Sequence, residues 1–128
     1  MTRAPTPSSA PDCVFCKIVA NQISAPRLYE DSDIIAIRDL RPQAKDHFLV
    51  IPRTHIAALD EAFPEAGSGP TELMGKLLQV GTHLARKHGL LPQGFRSVIN
   101  TGEHAGQTVF HLHLHVLGGE PLSGGFGN

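Results

Sequence analysis

Three histidines occupy alternate positions near the C-terminus of the chain: His111, His113 and His115. The residues between and beside them in the segment 108–117 are apolar, and such strict alternation predicts a β-strand with one buried face. Three imidazoles would then project from one side of the strand. Neutral imidazole can act as a nucleophile, a general base or a metal ligand, so this strand is the first candidate for chemistry. Polar residues on a wet sheet face are the alternative.

A glycine-containing loop, residues 100–108, precedes the histidine segment. Gly102 and Gly106 can adopt positive φ, and the backbone amides of such a loop can face an anion. Gln107 and Thr108 add side-chain donors, and Asn100 would lie beside the histidines if the flanking strands pair. The loop therefore predicts a phosphate site, with an ordinary polar hairpin as the alternative.

The two cysteines of the chain, Cys13 and Cys16, form a Cys-x-x-Cys pair. A disulfide is a poor expectation in a reducing compartment, which leaves a metal half-site or a redox motif. A thioredoxin-like redox motif follows a strand, whereas a polar segment precedes this pair. Metal binding is favoured on that ground, and two reduced cysteines packed as small apolar residues are the alternative.

The other patterns predict an α+β fold with five strands in a mainly antiparallel sheet, one long helix and one or two short helices. The long helix is predicted over about Thr71 to His88, where apolar residues recur at three- and four-residue steps before Gly89. Short helices are predicted over Cys16 to Ala20 and from about Thr54, and strands over 27–30, 34–38, 47–51, 95–100 and 108–117.

The bulk composition describes one ordinary globular domain. The chain has 128 residues, of which 41% are hydrophobic and 18% charged, with a net charge of −1. No basic block indicates duplex nucleic acid or an anionic membrane, and no apolar run has the length of a spanning helix. The first twelve residues lack the apolar core of a signal peptide, which predicts a cytoplasmic protein. We expect a disordered arm (1–11), a domain (12–119) and a flexible glycine-rich tail (120–128).

These motifs together resemble the histidine triad (HIT) superfamily. The segment 106–118, Gly-Gln-Thr-Val-Phe-His-Leu-His-Leu-His-Val-Leu-Gly, is similar to its His-φ-His-φ-His-φ-φ signature. The matching segments 13–18, 38–40 and 47–52 resemble the branch of histidine triad nucleotide-binding proteins, which are purine nucleoside phosphoramidase-like. The resemblance implies a HIT-like fold and a homodimer.

The resemblance also implies site residues. His113, the middle histidine, would attack the α-phosphorus of a purine nucleoside 5′-phosphoramidate or a related nucleotide, cleave the P–N (or related P–O) bond and form a covalent nucleotidyl-histidine that water hydrolyses. His115 and Thr108 would bind the phosphate oxygens or help protonate the leaving group, and Gln107 would stabilise transition-state charge. The nucleotide site would also include Asp39 for the ribose hydroxyls, Asn100 and Gly106 at the phosphate, and Val14, Phe15, Ile18, Ile37 and Leu40 around the base.

Bacterial-type members of the family carry zinc on a Cys-x-x-Cys completed by two histidines. The matching positions are Cys13, Cys16, His55 and His111, a set that forms the closed tetrahedral shell of a structural zinc site. His111 would then be structural, and His47, at the start of a strand, is also interpreted as structural.

Three alternatives stay open at this point. One is a dinucleoside polyphosphate hydrolase like the fragile histidine triad branch, and another is a non-catalytic nucleotide-binding or interaction protein. A catalytic metal on the three alternating histidines in a cupin-like fold is disfavoured by the cysteine pair and the Asn100–Gln107 context. The sequence contains no tryptophan, whereas the animal members typically carry a Trp-containing tail after the triad, and Thr108 stands where serine is commoner.

Overall fold

A computed structural model describes residues 10–124 of the chain and confirms the α+β prediction. Within these residues the five strands form one sheet of order β1-β2-β3-β5-β4, and each neighbouring pair is antiparallel. The elements are α1 (Val14–Val19), β1 (Tyr29–Glu30), β2 (Ile34–Arg38), β3 (Asp46–Pro52), α2 (Leu59–Ala62), α3 (Thr71–Lys87), β4 (Phe95–Val98), a 3-10 turn (Glu103–Ala105) and β5 (Leu114–Gly118).

Apolar packing covers both faces of the central strands. In β2, Ile34 and Ala36 belong to the cluster under α3, whereas Ile35 and Ile37 belong to a second cluster that includes residues of α1. This double coverage explains why β2 reads as an uninterrupted apolar run rather than an alternating one. The sheet therefore holds α1 on one face and α3 on the other.

The histidine strand is shorter than the alternation predicts. β5 begins at Leu114, so His111 and His113 precede it. Pairing between β3 and β5 ends at Val50 and Leu114, and the Leu112 amide instead donates to the Ile56 carbonyl at 2.7 Å. The alternating apolar residues of this segment are buried only from Leu112 onward. Phe110 is 48% exposed and lies outside the core.

The helix predicted from about Thr54 is also wrong at its start. Residues 53–58 are irregular, and α2 begins only at Leu59, after Ala58 in an extended conformation. The segment is held instead by the Ile56 carbonyl, which accepts from Leu112. Three other boundaries move by a few residues: α1 starts at Val14, β1 is confined to Tyr29–Glu30, and β4 ends at Val98.

The predicted arm lies mostly outside the described residues, and the predicted tail lies partly outside them. The arm (1–11) has two described residues and the tail (120–128) has five, so the domain limits stay predictions. Between residues 10 and 124, the helices are all too short or too polar to cross a membrane.

A glycine of α3 allows the helix to approach the histidine strand closely. A Cβ atom built on Gly81 would lie 3.0 Å from Leu114 Cδ2 and 3.1 Å from Val116 Cγ2. Gly75, on the same helix, is exposed and would meet no atom within 4 Å. α3 can therefore pack this close to β5 because glycine at position 81 has no side chain.

We expect Gly81→Val to lower the free energy of unfolding by about 1–3 kcal/mol, because the added carbons overpack the interface between α3 and β5. Gly75→Val is the matched control and should change it by less than about 0.5 kcal/mol. Urea denaturation of both variants measures the difference. Equal stabilities for the two variants would contradict this account of the close approach.

Candidate active site and metal centre

An open cavity of about 650 Å³ lies between α1, the connection from β2 to β3, the loop 100–109 and the start of β5. Every residue that the sequence predicts for the nucleotide site lines this cavity. The lining residues are Val14, Phe15, Ile18, Ile37, Asp39, Leu40, Asn100, Gly106, Gln107, Thr108, His113 and His115, together with Arg38, Arg41, Gln43, Leu49 and Val109.

His113 has one ring nitrogen fixed by the backbone. Its Nδ1 lies 2.7 Å from the carbonyl oxygen of His111, which can only accept, so Nδ1 carries the proton. Burial lowers the pKa of His113, and the ring is therefore neutral at pH 7 with an unprotonated Nε2. The ring of Phe15 packs edge-on against it, with ring centroids 4.9 Å apart. This arrangement supplies a nucleophilic nitrogen of fixed orientation.

His115 is held in the opposite tautomer by a chain of hydrogen bonds. The backbone amide of Gln43 donates to His47 Nδ1 at 3.1 Å, so His47 carries its own ring proton on Nε2. That nitrogen lies 2.9 Å from His115 Nδ1 and 3.4 Å from Asp39 Oδ2. His115 therefore accepts at Nδ1 and keeps its own proton on Nε2, as a donor for a ligand in the cavity.

The buried imidazoles of the site are neutral. Burial lowers the pKa of His115 to about 4, with further contributions from His113 and His47. Burial also lowers the pKa of His47, although the charge of Asp39 opposes this shift. Neutral rings match the tautomers deduced from the hydrogen bonds, because each ring then has one donor and one acceptor nitrogen.

His47 is the site residue whose role the sequence analysis missed. It is 2% exposed, and it connects Asp39, on one side of β3, to His115 on the other. Its position depends on β3 lying between β2 and β5, because His47 opposes Leu117, two residues from His115. The motif spacing contains no signal for this strand order.

The two glycines of the loop before the histidines have positive φ, but three of the loop's backbone amides are used within the loop. Gly102 and Gly106 have φ of +82° and +91°. The amides of Gly106 and Gln107 bond to carbonyls within the loop, and the Gly102 amide donates to Gln107 Oε1. They are therefore not aimed at an anion in the cavity.

Gln107 holds this loop in place. Its side chain is almost fully buried, and Nε2 donates to the carbonyls of Ala57 at 2.8 Å and Val109 at 3.1 Å. Both amide protons are used in this way, so Gln107 positions the loop rather than offering a side-chain donor to phosphate. Thr108, which follows it, is exposed on the cavity wall.

The remaining predicted residues differ in exposure. Asp39 is oriented by the Arg41 amide, which donates to Oδ1 at 2.8 Å. Leu40 is 96% exposed at the mouth of the cavity. His104, in the 3-10 turn, is exposed and is not among the lining residues.

The four predicted metal ligands come together beside this cavity. One ligand atom from each of Cys13, Cys16, His55 and His111 lies within 4.8 Å of all the others. His111 Nδ1 is 3.3 Å from Cys13 Sγ, 3.5 Å from Cys16 Sγ and 3.2 Å from His55 Nδ1. Cys16 Sγ is 3.4 Å from His55 Nδ1.

These distances fit a tetrahedral ion. Zinc bonds of ordinary length give tetrahedral edges of about 3.5 Å between sulfur and nitrogen and about 3.3 Å between two nitrogens. His111 Nε2 lies 2.7 Å from the carbonyl oxygen of Pro52. Because that oxygen can only accept, Nε2 carries the ring proton and Nδ1 is free to bind a metal. Burial raises the pKa of the Cys16 thiol, so a cation here would supply the charge that stabilises the thiolate. The cluster is able to hold a metal ion.

This geometry argues against one metal on the three alternating histidines. His111 faces the cysteines, His113 bonds to a backbone carbonyl, and His115 bonds to His47. Asp39, His47 and His115 also lie close together, but the hydrogen-bond chain through His47 accounts for their proximity. The cupin-like alternative is therefore set aside.

Comparison with known proteins defines the class. The HIT domain model matches residues 20–122. The chain is 41% identical over 107 residues to Protein HitA of Neisseria gonorrhoeae, an alignment that covers 84% of this chain and 95% of that protein. It is 34% identical over 113 residues to the purine nucleoside phosphoramidase of Escherichia coli, covering 88% and 92% of the two chains. The chain belongs to the HIT domain family.

Solved structures agree in fold. A HIT family hydrolase from Legionella pneumophila Philadelphia 1 matches with a TM-score of 0.80 and 40% identity, covering 88% of this chain and 96% of that one. A zinc-bound histidine triad family protein from Mycobacterium smegmatis matches with a TM-score of 0.73 and 41% identity, covering 88% and 80%. The fold expected from the histidine motif is thus confirmed.

The lowered pKa of His115 predicts a pH-dependent stability. Because the folded pKa is about 4 and the ordinary value is 6.5, the unfolded chain binds more protons between these values. The free energy of unfolding should therefore fall as the pH is lowered from 6.5 towards 4. Asp39, which faces this group with His47 and His113, opposes the shift.

We expect His115→Gln to flatten this dependence by at most about 1.4 kcal/mol per pH unit, the contribution of one proton. Urea denaturation of wild type and variant between pH 7 and 4.5 measures both slopes. Identical slopes would show that the folded protein does not hold His115 neutral.

Proposed function

We propose that this protein is a hydrolase that cleaves the P–N bond of purine nucleoside 5′-phosphoramidates. The observation that carries the proposal is the unprotonated Nε2 of His113, held at a cavity by the bond from Nδ1 to the His111 carbonyl. The similarity to the phosphoramidase of Escherichia coli supports the substrate class. Diadenosine polyphosphates and binding without turnover are the alternatives that the assay must separate.

The proposed reaction has two displacements. His113 Nε2 attacks the α-phosphorus, the P–N bond breaks with its electron pair going to nitrogen, and the leaving amine takes a proton from water. The resulting nucleotidyl-imidazolium keeps its proton on Nδ1, which donates to the His111 carbonyl. Water then attacks phosphorus, releases its proton to solvent and regenerates neutral His113. The net reaction converts phosphoramidate and water into nucleoside monophosphate and amine.

Other residues bind and orient the substrate in this proposal. His115 donates from Nε2 to a phosphoryl oxygen, where charge develops in the transition state. Asn100, Gly106 and Thr108 border the phosphate, and Gln107 acts through the loop that it holds. Asp39 accepts the ribose hydroxyls, and the base lies against the apolar wall formed by Val14, Phe15, Ile18, Ile37 and Leu40.

We expect wild-type protein to release AMP from adenosine 5′-phosphoramidate, and His113→Ala to lower kcat by at least about a thousandfold because the nucleophile is lost. His104→Ala, an exposed histidine outside the cavity, is the matched control and should retain wild-type kcat. Chromatographic detection of AMP measures both.

Three results of this assay would contradict the proposal. Undiminished turnover by His113→Ala would refute the nucleophile. A higher kcat/KM for diadenosine polyphosphates would favour the dinucleoside polyphosphate hydrolase. Tight AMP binding without turnover by the wild type would favour the non-catalytic alternative.

We infer that the ion of the Cys₂His₂ cluster is Zn²⁺ and that its role is structural. Two thiolates and two imidazoles in a closed tetrahedral set match zinc rather than a hard cation, and they leave no position for a substrate. The zinc-bound relative from Mycobacterium smegmatis supports this choice. A homodimer and a cytoplasmic location stay predictions.

We expect purified protein to contain one zinc per chain, and His55→Ala to lose it and to lower Tm by about 10 °C or more, because metal-binding energy is folding energy. His104→Ala should keep both the zinc and the Tm. Elemental analysis and thermal unfolding measure these quantities. Wild-type protein purified without chelator and free of stoichiometric zinc would refute the assignment.

A further inference from the structure

Phe15 lies between the metal ligands in sequence and against the nucleophile in space. It occupies the third position of Cys13-Val-Phe-Cys16 and is 6% exposed. Its ring packs edge-on against His113, with centroids 4.9 Å apart and planes at 87°. It also packs against His111, at 5.8 Å and 75°. One aromatic ring thus contacts both a metal ligand and the proposed nucleophile.

His111 makes a second connection between the same two groups. Its side chain offers Nδ1 to the cluster, while its carbonyl accepts the Nδ1 proton of His113 at 2.7 Å. The ring itself is anchored on the Pro52 carbonyl and is fully buried. A displacement of this residue at the metal would therefore move the acceptor that fixes the tautomer of His113.

The helix that carries Phe15 is too short to hold its own position. α1 has six residues, well below the length at which an isolated helix is stable in water. Its first turn is closed by Cys13 Sγ, which accepts from the Cys16 amide at 3.3 Å. Both of these cysteines are metal ligands, so a metal ion would fix each end of the turn that contains Phe15.

We propose that Phe15 is a positioning residue for His113, through which metal bound by Cys13 and Cys16 holds the nucleophilic imidazole in its reactive orientation. The inference rests on the proposed function for two points, His113 as the nucleophile and a metal ion bound in the Cys₂His₂ cluster. Phe15 would then orient His113 in addition to lining the apolar wall of the cavity. The structural metal would in turn influence the rate of the chemical step.

The His113 ring can be followed without substrate. In ¹⁵N-labelled, zinc-loaded protein we expect a single Nδ1–H tautomer for His113 in long-range ¹H–¹⁵N spectra. Removing zinc with a chelator should broaden or shift these signals, with circular dichroism confirming that the protein remains folded. Unchanged His113 signals in folded, zinc-free protein would overturn the proposal.

If metal removal unfolds the protein, variants of Phe15 in zinc-loaded protein test its effect on His113 instead. Phe15→Leu keeps an apolar side chain but removes the ring, and in zinc-loaded protein it should disturb the His113 signals and lower kcat by about tenfold to a hundredfold. Phe15→Tyr keeps the aromatic ring and should therefore retain the wild-type His113 signals and the wild-type kcat. Lys17→Ala, on the same helix and outside both the cavity lining and the apolar cluster of Phe15, is the control and should change neither.

The possible outcomes distinguish a Phe15 that positions His113 from a Phe15 that only lines the cavity. A Phe15→Leu variant with one zinc per chain, raised KM, unchanged kcat and unchanged His113 signals would overturn the proposal. If wild-type protein fails to hydrolyse phosphoramidates, the proposed function fails, but the spectra still decide whether Phe15 and the metal orient His113. If wild type is active and the spectra are insensitive to zinc and to Phe15, only this inference fails.

Discussion

The hydrogen bond from His113 Nδ1 to the carbonyl of His111 constrains the chemistry of the whole site. A neutral imidazole has one donor and one acceptor nitrogen, so occupying Nδ1 as a donor leaves Nε2 as the nucleophile. The neighbouring histidines are fixed by the same kind of constraint. The Pro52 carbonyl accepts a hydrogen bond from Nε2–H of His111, which leaves Nδ1 for a metal. His47 donates to Nδ1 of His115, which leaves Nε2–H of His115 as a donor. Three identical side chains thereby acquire three different tasks.

The fold supplies these partners by its strand order. β3 lies between β2 and β5, so that His47 can reach Asp39 on one side and His115 on the other. Residues 111–113 precede β5 and do not pair with β3, and His111 meets His55 and the two cysteines there. His111 therefore joins the metal cluster from the unpaired segment just before β5.

Much of this site could be predicted from the sequence. The histidine spacing, the Cys-x-x-Cys pair and the glycine loop are local signals, and the family resemblance joined them into the observed cavity and cluster. His47 could not be found in this way, because its role depends on which strands are neighbours. Gln107 looked like a phosphate donor, but its amide protons bond to the backbone of Ala57 and Val109. The alternation at 108–117 overextended the strand, because period-two burial persists in extended chain without a partner strand.

The central claim is that His113 attacks through Nε2 because the backbone holds Nδ1. Mixing the protein with adenosine 5′-phosphoramidate, quenching rapidly in alkali and mapping peptides by mass spectrometry would locate the nucleotidyl group, and ³¹P–¹⁵N NMR would identify the bonded nitrogen. The account predicts an adenylyl group on Nε2 of His113 that forms and decays at rates compatible with turnover. An adduct on Nδ1 of His113, an adduct on His115, or steady turnover with no adduct under conditions that preserve a phosphohistidine standard would contradict it.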